Sequence, residues 1–171
     1  LVRASEELSK PNEKRLPEFT DAKIPQMKQR LLSKAPIYKD LEQTMMEFAF
    51  VKTREYLSPD HPFAQKILDK KAPDKLARQL VKGTKLDNPA YREKLLKGGK
   101  KAIQSSKDPM IRFALSIDPV TRDKRQFYED NIEAVIDKNA EKIAKAQFDI
   151  YGTDIYPDAT YSLRGSYGKV K

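Results

Sequence analysis

With 171 residues the chain is long enough for one domain with a real core. It has no cysteine, which excludes disulfides and thiolate metal sites, and no apolar run approaches the roughly 20 residues that a membrane-spanning helix needs. The net charge of +9 would allow an anionic partner, but 25 acidic residues are interleaved with 34 basic ones, as on solvated helix faces rather than along a nucleic-acid-binding stripe.

The sequence opens on Leu1 rather than methionine, as expected of a piece of a longer protein. Residues 1–9 read as the end of a helix, and "SKPNEKRLPEF" as a loop. One helix or two short ones follow from Pro17 to Lys34, with Pro25 as a kink or restart. A long helix is expected from Pro36 to Leu57, its apolar stripe being Leu41, Met45, Phe48 and Tyr56. "LSPDHPF" reads as a tight connection. Short helices are expected over 62–71, 73–82, 89–97, 99–106 and 109–117. The last helix should run from Pro119 to Tyr151, because Tyr128, Ile132, Val135, Ile136, Ala140, Ile143, Phe148 and Tyr151 repeat at three- and four-residue steps. At ~1.5 Å per residue it would be on the order of 45–50 Å long.

Proline and glycine punctuate this pattern. Pro36, Pro73, Pro89, Pro109 and Pro119 fit the first helical position, where the missing N–H costs nothing. Asn88, Asp108 and Asp118 precede three of them as N-caps. Gly83, Gly98 and Gly152 fit helix stops with a left-handed conformation. The fold class is thus mainly α: an irregular helical bundle with one long C-terminal helix. The final "DIYPDATYSLRGSYGKVK" departs from it, being rich in tyrosine and β-formers without helical period, and reads as a short extended tail.

Complete catalytic apparatus is not legible. His61, the lone histidine, could be a base held by Asp60, but in "SPDHPF" it fits a surface loop or a helix N-terminus better. No second histidine or cysteine exists to complete a metal site around it. Ser105 and Ser106 have no base at a recognisable spacing, and "SSKD" before a helical run reads as capping chemistry. "KGGKKA" has neither the spacing nor the preceding strand of a phosphate-binding loop. It reads as a helix stop followed by a new start. No catalytic, cofactor-binding or metal residue is assigned, and no cofactor is expected.

The tail carries a family resemblance. Tyr156, Pro157, Asp158, Ala159, Thr160, Tyr161, Ser162, Leu163, Arg164, Ser166, Tyr167, Gly168, Val170 and Lys171 resemble the segment with which bacterial serine dipeptidyl-peptidases of family forty-six leave their helical domain. These are the enzymes like dipeptidyl aminopeptidase BII. "FVKTREYLSPDHPF", "LVKGTKLDNPAYREKLLKGGKKAI" and "SKDPMIRFALSIDP" are also similar to the family, so the resemblance covers roughly residues 37–171. Gly165 departs from it: the family carries a larger apolar residue there, and glycine weakens a strand or marks a bulge.

The resemblance implies a parent with a chymotrypsin-like double β-barrel, a His-Asp-Ser triad and a helical domain inserted over the cleft. Residues 1–157 would be the C-terminal part of that helical lid, and 158–171 a strand re-entering the absent barrel. The triad would lie outside this chain, so His61 receives no role. The family binds the substrate's free N-terminus partly through an asparagine, but none of Asn12, Asn88, Asn131 and Asn139 matches its motif. Peptide substrates and the parent's own barrel are the implied partners, in a periplasmic or secreted bacterial protein. A homodimeric parent is left open. The tail, with its pairing strands absent, should be weakly anchored or paired with a non-native edge. The rival reading is a free-standing basic helical module binding nucleic acid or an acidic protein. A third makes the last helix a coiled-coil partner, against which Asp137, Lys138 and Asn139 interrupt the heptad seam.

Overall fold

The computed structural model describes residues 1–68 and 70–153, and among them every regular element is helical. The expected tail strand and its turn at Tyr156-Pro157-Asp158, with the domain boundary placed after residue 157, lie outside the described residues. The chain divides into two units, Leu1–Arg122 and Asp123–Lys171.

The first unit opens with α1 (Val2–Glu7) and three single 3₁₀ turns, Asn12–Lys14, Pro17–Phe19 and Asp21–Lys23. These lead into α2 (Ile24–Leu31), with Pro25 in its first turn, so the restart expected there is real. Then come α3 (Lys39–Leu57), α4 (Pro62–Leu68), α5 (Pro73–Gly83), α6 (Pro89–Gln104) and α7 (Pro109–Tyr128). Pro73 and Pro89 start their helices as expected. The Asn88 Oδ1 accepts from the amides of Ala90 at 2.9 Å and Tyr91 at 3.4 Å, closing two orphan donors.

Two prolines behave differently from expectation. Pro36 does not start α3: residue 35 before it is biased to extended backbone, and Tyr38 is still extended with φ −90° and ψ 100°. The helix begins only at Lys39, with Asp40 and Glu42 in its first turn, where the helix dipole favours them. Pro119 starts no helix at all but sits inside α7. Asp118 is not an N-cap because both its oxygens are taken by arginines, Arg3 and Arg122. The helix therefore passes through the proline and forgoes one backbone bond.

The glycines also sort out. Gly99, one residue beyond the expected stop at Gly98, takes φ 58° and ψ −152°, and breaks α6 into two stretches. That is backbone open essentially to glycine alone. Gly83 is the last residue of α5 and has no positive φ. Its role is close approach, since a Cβ there would meet the Pro109 ring at 2.8 Å. Gly152, at φ 58°, ends the last helix as expected.

The core of this unit has two parts. Phe50, Ile67, Leu68, Leu76, Ala77 and Leu80 join α3, α4 and α5, with Met46, Phe63, Met110, Phe113 and Ile117 packed against them. Phe50 and Phe113 meet edge-to-face, centroids 5.6 Å apart, a geometry their quadrupoles favour. Leu95, Ile103 and Ile111 form the other part, with Val2, Leu86, Tyr91 and Leu115 around them. α5 shows the simplest logic: Pro73, Leu76, Ala77, Leu80 and Val81 follow the three-four spacing and all are buried. α3 does not follow its expected stripe. Leu41, Met45, Phe48 and Tyr56 are exposed, and the helix buries Phe50.

In the second unit, described over residues 123–153, the end of α7 is followed by a π-helical turn, Glu129–Glu133, and by α8, Ala134–Tyr151. The expected long C-terminal helical run is present. It begins ten residues earlier than expected, at Pro109, and the π turn interrupts it. α8 alone, at 18 residues, is about 27 Å long at ~1.5 Å per residue.

Candidate functional site

The residues that the sequence offers for chemistry are held by their own backbone neighbours. His61 is exposed, and its Nδ1 accepts from the Phe63 amide at 3.2 Å, at the start of α4. It is thus the helix-terminal polar group that its sequence context favours. The Ser106 Oγ accepts from the Asp108 amide at 3.2 Å, and the Ser105 Oγ donates to the Ala102 carbonyl. Both serve the loop that leads into α7, in line with capping rather than nucleophilic use. Among the described residues, no group of three or more histidines or carboxylates could hold a metal ion.

What the first unit does build is three buried polar junctions. Asp108, itself buried, is the N-cap of α7 expected from sequence: Oδ1 accepts from the amides of Met110 at 3.0 Å and Ile111 at 3.3 Å. The same carboxylate accepts from the Thr84 hydroxyl at 2.9 Å and the Lys85 amide at 2.8 Å. It thereby ties the end of α5 to the start of α7.

Arg92 forms the second junction. Its buried guanidinium donates from Nε to the Leu31 carbonyl at 2.8 Å, from Nη1 to the Leu86 carbonyl, and from Nη2 to the Ser33 carbonyl. A cation is thus placed against the carbonyl end of α2, where the helix dipole stabilises positive charge.

The third junction joins α1 to α7 across more than a hundred residues. The Glu7 side chain is fully buried. It accepts from Lys10 Nζ at 2.7 Å, Arg122 Nη1 at 2.6 Å and the Leu16 amide at 3.0 Å. Burial pushes its carboxyl up, but those three donors and the Lys10 charge outweigh it and bring the pKa down to about 2. Asp118 accepts from Arg3 Nε at 2.9 Å and Arg122 Nε at 2.7 Å. Its pKa is also lowered, since hydrogen bonds from the two arginines overcome the effect of burial. Arg122 is raised in turn: burial opposes its charge, while Asp118 and Glu7 favour it.

Beside α1 lies an open cleft of about 540 Å³, lined by Ala4, Phe19, Lys23, Met27, Arg30 and Leu31 among others. The Pro17–Phe19 turn forms part of its wall, and the Leu16 amide bond to Glu7 pins the chain just before that turn. Its lining offers apolar surface, cations and the Glu18 carboxylate, but no hydroxyl and no imidazole. Such a cleft can bind but lacks a nucleophile-base pair for acyl transfer. Sequence reasoning found Asp108 as a cap but missed its second arm to Thr84, and it missed Glu7, Arg92 and Arg122 entirely.

The sequence model of Peptidase S46 matches residues 1–171. The chain belongs to the Peptidase S46 family. No curated protein matches it. Family membership makes the parent activity that of a peptidase, a hydrolase acting on peptides. It extends the likeness read from residues 37–171 to the whole chain, Glu7 and the cleft beside α1 included. Among the described residues, no helix is long and apolar enough to cross a membrane.

Proposed function

We propose that this chain is the C-terminal part of the helical cap of a serine dipeptidyl-peptidase, which releases dipeptides from peptide N-termini. Its task is to roof and gate the active-site cleft, excluding water and long chains on the non-prime side. Bond breaking falls to a chymotrypsin-like barrel of the same polypeptide: serine attacks, histidine takes its proton, and an oxyanion hole holds the developing charge. In this reading the chain returns to that barrel through residues 158–171. We place the parent in the bacterial periplasm or outside the cell.

The observation that carries this reading is the Peptidase S46 match over residues 1–171 on a chain whose described part is helical and whose single histidine caps a helix. In this reading the 171-residue chain is inactive by itself. The test uses the full-length parent with two peptides, one with a free N-terminus and one N-acetylated. Release of dipeptides from the free peptide alone, with no turnover by the isolated chain, is the expected result. Equal cleavage of both peptides, or cleavage at internal bonds, would overturn the roofed-cleft reading while leaving the family assignment intact.

A further inference from the structure

We draw no further inference here: the strongest candidate, the exposed apolar face of α8 carried by Ile136, Ile143 and Ile150, is an unpartnered helix face, and nothing in the structure shows what covers it.

Discussion

The two units use the same kind of sequence signal and reach opposite results. In α5 the apolar residues at three- and four-residue steps are all buried. In α8 the same periodicity leaves Val135, Ile136, Ile143, Phe148 and Tyr151 exposed. Hydrophobic period therefore reports that a segment is helical and has an apolar face; whether that face is covered depends on residues elsewhere in the chain or outside it. α3 makes the point within one element. Its most visible stripe, Leu41 to Tyr56, lies in solvent, while Phe50 enters the core against Phe113 of α7.

Truncation should separate the units most strongly. Ile111→Ala removes a fully buried side chain and is expected to cost about 2–5 kcal/mol, read from the urea midpoint. A loss below about 1 kcal/mol would show that this part of the core is loosely packed. Next comes the break in α6. Gly99→Ala forces a β-carbon onto backbone open essentially to glycine alone and should cost about 1–3 kcal/mol, even though the added methyl would meet no neighbouring atom. A neutral outcome would mean that the helix can straighten there.

Acid should act on the first unit through Glu7. Its pKa is lowered from 4.5 to about 2, so the native state binds this proton less readily than the unfolded chain. The stabilisation is complete above pH 4.5 and is lost as pH falls towards 2. Lys10 and Arg122 are partly open to solvent, and screening limits the effect to on the order of 1 kcal/mol. Stability measured against pH should fall through that window, and less steeply in Glu7→Gln. An unchanged slope in the variant would remove Glu7 from the account. The smallest effect belongs to the second unit: Ile143→Ala, at an exposed helix position, should change stability by no more than about 0.5 kcal/mol. A loss comparable to that of Ile111→Ala would mean that α8 is covered in solution.

Much of the fold was legible because proline, glycine and capping residues act locally. Asn88 and Asp108 cap the helices they precede, and Pro73, Pro89 and Pro109 open theirs. The same rule fails at Asp118-Pro119, where Arg3, far away in sequence, competes for the carboxylate. Glu7 and Arg122 were illegible for that reason too: nothing local marks a pair 115 residues apart. The capping contacts of His61 and Ser106 were legible because each reaches an amide only two residues ahead. The family likeness was legible over residues 37–171 through local motifs, and the family match extends it to residues 1–171.

Asp108 also sets an order of assembly. Its bonds to Met110 and Ile111 span two and three residues, whereas those to Thr84 and Lys85 close loops of more than twenty. Local helix formation takes on the order of a microsecond, and loop closure must first overcome chain entropy. The carboxylate should therefore seed the first turn of α7 before it captures the end of α5. Asp108→Ala is then expected to slow refolding, and Thr84→Val chiefly to speed unfolding. The reverse pattern would mean that the long-range clasp forms first.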